Sequence, residues 1–112
     1  MSTAFADEVV HVQQLGQLSE SELGRALGVH RSTIGAWLRH ERTPTGIRAQ
    51  RIAELSGLVE RLALVMEPAY IPVWLSKPNG ALRFEKPSDL IASGDYRLVA
   101  ELIGELEVGV HS

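Results

Sequence analysis

The stretch SESELGRALGVHRSTIGAWLR, residues 19–39, decides how the rest of the chain is read. Ser19-Glu20-Ser21-Glu22 has the form of a capping box, in which Ser19 caps a helix and Glu22 reaches back to the Ser19 backbone N–H. Leu23, Ala26 and Leu27 follow at helical spacing, and Gly28 ends the helix as a left-handed C-terminal residue does. A second short helix covers residues 31–40, with Ile34, Trp37 and Leu38 as its apolar stripe. Two helices joined this tightly need a small residue where they touch, a glycine-tolerant turn and apolar anchors beneath the second helix. Gly24, Gly28 with Val29, and Ile34 with Trp37 supply these in order. The pattern predicts a helix-turn-helix. It leaves His30, Arg31, Ser32, Thr33, Ala36 and Arg39 on the outer face, and Arg42 just beyond, as the residues expected to contact DNA. Two positions fit less well. Gly35 inside the second helix costs about 1 kcal/mol relative to alanine, and His30 stands where Ser or Thr makes a better N-cap. Either Ser32 caps a later start, or this end is loosely formed until DNA binds.

Charge sharpens the motif. The whole chain of 112 residues carries a net charge of −3, which by itself argues mildly against nucleic acid. The distribution reverses that. Residues 1–24 hold Asp7, Glu8, Glu20 and Glu22 and no Lys or Arg. Residues 25–56 hold Arg25, Arg31, Arg39, Arg42, Arg48 and Arg51 against Glu41 and Glu54, a net +4. Residues 57–112 return to −3. A basic island that coincides with a helix-turn-helix is stronger evidence for phosphate contact than bulk charge.

Outward from the motif, the first eight residues carry no periodic signal and are expected to lack order, and Val9, Val12 and Leu15 are weakly helical. Residues 48–66 form the strongest helix: Ile52, Leu55, Val59, Leu62 and Met66 step by 3 and 4. That seam reads as a buried core face or, in the competing reading, as a coiled-coil-like dimer contact. Pro68 ends it. Pro72 opens a short helical piece within Tyr70-Ile71-Pro72-Val73-Trp74-Leu75, Ala81 to Phe84 alternates like a strand, and Pro87 to Ala92 is a short helix. Asn79 is expected to organise a turn with Pro78 and Gly80, and Asp89 and Asp95 to cap helices. From Asp95 a last amphipathic helix carries Val99, Leu102, Ile103 and Leu106, and residues 107–112 read as a tail. The expected fold is all-α: an arm or first helix over 1–14, a helix-turn-helix domain with its long helix over 15–66, and a small, mainly helical domain over 67–112.

Composition removes other classes. There is no cysteine, hence no disulfide scaffold and no Cys-ligated metal. His11, His30, His40 and His111 show no i, i+4 ligand spacing, the ten glycines form no phosphate loop, and no serine lies in a Gly-x-Ser-x-Gly context. The expectation is a non-enzyme with no catalytic residue, metal or cofactor. No apolar run approaches the roughly 18–20 residues of a membrane span, and the N-terminus lacks a secretory pattern, so a cytoplasmic setting is expected.

Over residues 15–110 the chain resembles the Xre/MbcA/ParS-type antitoxins, partners of RES-domain toxins. In the first half the resemblance rests on Gly28, Arg31-Ser32, Trp37 and Pro44. In the second it rests on Val73-Trp74-Leu75, Pro78-Asn79, Leu82, Lys86-Pro87, Asp89-Leu90, Gly94-Asp95-Tyr96 and Val99 through Ile103. It implies a helix-turn-helix that binds the operator of its own operon, a homodimer, and a C-terminal domain that covers the pocket of an NAD-consuming toxin. Trp74, Leu75, Leu82, Phe84 and Tyr96 are then the apolar anchors for the toxin. The tail Val108, Gly109, Val110, His111 and Ser112 lies against the toxin's active-site entrance. The sequence departs from the family at the polar His111-Ser112 ending and at His40, where a glycine often follows the recognition helix. The competing reading is a stand-alone helix-turn-helix transcription regulator whose C-terminal half only dimerises it.

Overall fold

The computed structural model describes residues 4–111, with side chains from Asp7 to Gly109. The described residues form seven α-helices: α1 (Ala4–Gly16), α2 (Glu20–Leu27), α3 (Arg31–Leu38), α4 (Gly46–Val65), α5 (Ile71–Ser76), α6 (Pro87–Ala92) and α7 (Tyr96–His111). Two 3-10 turns, Pro68–Tyr70 and Gly80–Leu82, flank α5. The all-α expectation holds. The first helix begins earlier than the sequence suggested, at Ala4, because Val9 and Val12, both buried, anchor it along α4.

The first three helices end in the same way. Gln17, Gly28 and His40 take left-handed φ of 54°, 72° and 62°. After each, the next N–H returns to a carbonyl five residues back: Leu18 to Gln13 at 3.1 Å, Val29 to Gly24 at 2.9 Å and Glu41 to Ala36 at 2.8 Å. This is the Schellman closure, which satisfies the orphan carbonyls of a helix end and reverses the chain at once. At the start of α2 the capping box forms as predicted, with Glu22 N–H donating to Ser19 Oγ at 3.0 Å and Ser19 N–H to Glu22 Oε1 at 2.8 Å.

The turn between α2 and α3 is set by Gly24. A Cβ there would lie 2.6 Å from the Val29 carbonyl oxygen, so only glycine lets the chain fold back so closely. Beneath it Leu23, Leu27, Ile34 and Trp37 are buried. The α4 seam of Ile52, Leu55, Val59 and Leu62 is buried in the same cluster, so the core reading applies and that face is not a dimer seam.

The C-terminal half joins this cluster through Ile71, Trp74, Leu75, Leu82, Ile91, Val99 and Ile103. Two charged struts reinforce the junction. Arg25 on α2 grips Asp89 on α6 side-on, at 2.8 and 3.2 Å, and Arg61 on α4 grips Glu107 on α7 at 2.6 and 3.1 Å. Asp89 is the third residue of α6, so it does not cap the helix as expected; its carboxylate is committed to Arg25. The strand-like alternation at 81–84 is also overturned. Gly80–Leu82 is a 3-10 turn, and Arg83 and Phe84 both take left-handed φ, at 57° and 65°. Asn79 organises this knot: its side chain accepts from Ala81 N–H at 3.0 Å and its carbonyl from Phe84 N–H at 2.8 Å. Residues 107–111, expected as a tail, continue α7 to His111.

Gly24→Ala is expected to destabilise the fold by about 2 kcal/mol, since backbone must move to admit the methyl group. Gly57→Ala, on an exposed part of α4 with nothing within 4 Å of the added carbon, is expected to stabilise it by roughly 1 kcal/mol. Urea midpoints of the two variants test the assignment. The Arg25 hydrogen bond, reinforced by its charge, holds the Asp89 carboxyl below the usual aspartate range. A depressed folded-state pKa stabilises above the unfolded value, and that contribution is lost as pH falls through the folded one. Asp89→Asn should therefore be less stable than the parent at pH 7, and the gap should close below about pH 4.

Candidate nucleic-acid and partner-binding surfaces

α3 is capped by His30, and that cap is better built than the sequence suggested. His30 Nδ1 accepts from the Ser32 backbone N–H at 3.1 Å and lies 2.8 Å from the Ser32 hydroxyl oxygen. The ring does what a Ser or Thr oxygen does at this position. Arg31 and Ser32 are exposed beside it and Thr33 is half-buried. Ala36 is not on the outer face: it is 5% exposed, and its carbonyl accepts from the Glu41 N–H, so the closing loop covers it.

The basic island resolves into two groups. Arg25, Arg39 and Arg51 are held in ion pairs with Asp89, Glu41 and Glu54. Among the described residues, Arg31, Arg42 and Arg48 have no such carboxylate partner. Arg42 and Arg48 line a polar recess of about 420 Å³ together with His30, Thr33, Trp37 and Thr43. Arg48 and Thr43 were not expected at the site; the one sequence signal for Arg48 was its place in the basic island. Arg39 donates through Nε and Nη2 to both Glu41 oxygens, at 3.1 and 3.2 Å. That hydrogen-bonded pairing, with its attraction, holds the Glu41 carboxyl below its ordinary range and raises the Arg39 guanidinium above its own.

The C-terminal surface differs more from expectation. Trp74, Leu75 and Leu82 are 9%, 3% and 8% exposed, and so belong to the core rather than to a face offered to a partner. The apolar cluster of residues 70–75 turns Tyr70 and Val73 outward instead, at 44% and 46% exposure. A six-residue helix with one buried face exposes the positions between its buried ones; the sequence cluster was too short to show which. Phe84 is 77% exposed, its ring 3.8 Å from where a Gly80 Cβ would stand. Tyr70 and Gly80 line one recess of about 250 Å³ with Trp74, Lys77 and Asn79. Tyr96 is half-buried in a separate groove between α4 and α7, with Gly57, Arg61 and Ala100. Val108 is 68% exposed near the end of α7, and Gly109 is exposed beside it. Val110 and His111 continue the helix, and Ser112 lies outside the described residues.

Among the described residues, no group of three or more His, Asp or Glu side chains is placed to hold a metal ion, and no helix is long and apolar enough to cross a membrane.

A helix-turn-helix family model matches residues 13–59. The mycobacterial cidal antitoxin MbcA of Mycobacterium tuberculosis, and that of Mycobacterium bovis, are each 30% identical over 99 residues, covering 88% of this chain and 87% of the relative. The chain belongs to the Xre/MbcA/ParS-type antitoxin family. The solved M. tuberculosis MbcT-MbcA toxin-antitoxin complex contains a chain that superposes with a TM-score of 0.82 at 28% identity, covering 96% of both chains. The antitoxin's match therefore includes the second half of the chain, beyond the DNA-binding motif.

His40, at the exit of α3, holds a left-handed φ of 62°, a conformation that glycine adopts more readily. A non-glycine residue in that region costs about 1–2 kcal/mol. His40→Gly is expected to raise stability by about 1 kcal/mol once the extra freedom of the unfolded chain is deducted, read as a higher urea midpoint. An unchanged or lower midpoint would show that the His40 side chain makes a stabilising contact that offsets its backbone strain.

Proposed function

We propose that this antitoxin neutralises a RES-domain toxin that consumes NAD, by laying its C-terminal surface over the toxin's active site, and that it represses its own operon through the helix-turn-helix as a homodimer. The carrying observation is the 96% two-way coverage, at a TM-score of 0.82, of a chain in a toxin-antitoxin complex. A DNA-binding motif shared by many regulators accounts for about residues 13–59 alone.

On the operator side, Arg31, Arg42 and Arg48 supply uncommitted cations. His30, Ser32 and Thr33 bring hydrogen-bonding groups to the leading end of α3, the end that approaches base edges in a docked helix-turn-helix. Two copies would read two half-sites, as the two-fold symmetry of such operators requires.

On the toxin side, the surface is Phe84 with Tyr70 and Val73, Tyr96 in its groove, and the end of α7 at Val108, Gly109, Val110 and His111, with Ser112 next in the sequence. Trp74, Leu75 and Leu82 serve it from beneath by fixing the knot on which Phe84 stands. Two consecutive non-glycine residues in left-handed conformation are strained, and such strain concentrates where a side chain must be presented; here it presents an aromatic ring to solvent. The net −3 of residues 57–112 suits a toxin surface shaped to attract an anionic dinucleotide. The α7 end approaches the toxin as a helix, and its blocking part runs from the exposed apolar Val108 to the C-terminus.

The test is co-expression with the neighbouring gene product, followed by pull-down and an NAD-consumption assay. The full chain is expected to co-purify with the toxin and to abolish NAD loss. Deleting residues 108–112 spares the Arg61–Glu107 strut and is expected to weaken neutralisation while leaving promoter binding intact. Full neutralisation by the truncated chain would remove the α7 end from the blocking role.

A further inference from the structure

An interior glycine weakens a short helix, yet Gly35 sits in the middle of α3. The structure gives it a use. A Cβ at Gly35 would lie 2.9 Å from Arg39 Nη1 and 3.3 Å from Glu20 Oε1. The Arg39 side chain thus runs back over the preceding turn, as long side chains on helices do, and rests its guanidinium on bare backbone.

The other edge of the guanidinium is held by Glu41, through Nε and Nη2 at 3.1 and 3.2 Å. Glu41 is in reach because the left-handed His40 turns the chain and the Glu41 N–H closes onto the Ala36 carbonyl at 2.8 Å. A guanidinium has five N–H groups. The clamp occupies two of them, one on Nε and one on Nη2. Of the three left, one on Nη1 and one on Nη2 form the end-on edge. That edge matches a base presenting two adjacent acceptors in the major groove, which is guanine with O6 and N7.

We infer that Glu41 is a specificity-determining positioning residue, which clamps Arg39 across Gly35 so that Arg39 reads a guanine instead of binding phosphate. This rests on the operator reading of the helix-turn-helix. Glu41 and Glu20 surround Arg39 with negative charge, which disfavours a phosphate there but not a neutral base edge. Arg31, Arg42 and Arg48, which have no carboxylate partner among the described residues, are left to supply the sequence-independent contacts. The six arginines of the basic island therefore divide by their partners into phosphate-binding, base-reading and structural ones.

The experiment uses the full-length chain, its own promoter duplex and a scrambled duplex of equal length, with affinities from fluorescence anisotropy at fixed salt. The parent is expected to prefer the promoter. E41Q should bind the scrambled duplex more tightly and lose roughly tenfold of the preference, the scale of one bidentate base contact. Promoter duplexes carrying 7-deazaguanine, which lacks the N7 acceptor, at one guanine at a time should contain a position that weakens the parent and leaves R39K unaffected. A parent with no promoter preference would overturn the operator reading and this inference with it. A discriminating parent matched by an equally discriminating E41Q, or no 7-deazaguanine position that separates parent from R39K, would overturn the clamp alone and return the pair to an ordinary solvated ion pair of small consequence.

Discussion

Between Gly24 and the Val29 carbonyl there is no room for a methyl group, and the positions of α3 and α6 both depend on that approach. With the turn closed this tightly, α3 crosses α2 close enough for Ile34 and Trp37 to reach the core beneath Leu23 and Leu27. The opposite flank of α2 is then free to receive α6, which Arg25 holds through Asp89. A bulkier residue at 24 would push α3 away and withdraw its anchors from the cluster that the C-terminal half also needs. A close approach of this kind is a packing constraint with a sharp wall, whereas the charged struts on the surface are each worth little.

Features written locally could be read from the sequence. The capping box at Ser19 and Glu22, the left-handed exit at Gly28 and the α4 stripe depend on neighbours within one or two turns, and each has a residue signature. Features settled by distant parts of the chain could not. Trp74 and Leu75 read as partner anchors because aromatic and aliphatic clusters serve both cores and interfaces; only the packing of α5 against α6 and the rest of the core decides between them. Asp89 looked like a cap because it comes just after Pro87 at a helix start, but its partner lies 64 residues away. At the candidate operator site the residue types were legible and their commitments were not. Nothing in the spacing of Arg25, Arg39 and Arg51 against Arg31, Arg42 and Arg48 says which three meet a carboxylate.

His30 and His40 show how one residue type can occupy two positions that usually take others. At 30 the ring nitrogen replaces a hydroxyl oxygen as the acceptor for an orphan N–H. At 40 the backbone takes a glycine-like φ in spite of its Cβ. Neither breaks the motif, because a helix end requires an acceptor at its start and a chain reversal at its exit. Which residue supplies them alters the stability by a kilocalorie or so and leaves the geometry in place.

One continuous cluster links α1 through α7, and this limits how the two surfaces can influence each other. α2 touches α3 on one side and α6 on the other, so a partner bound near Phe84 would sit on the same packed cluster that holds α3. A hinge between halves would need a linker free of buried side chains. Residues 63–70 carry no buried side chain, so what ties the halves is the shared core on either side of them, where Leu62 and Ile71 are both fully buried. With the halves packed into one core, a partner bound at one surface would act on the other first through the charge and bulk it adds.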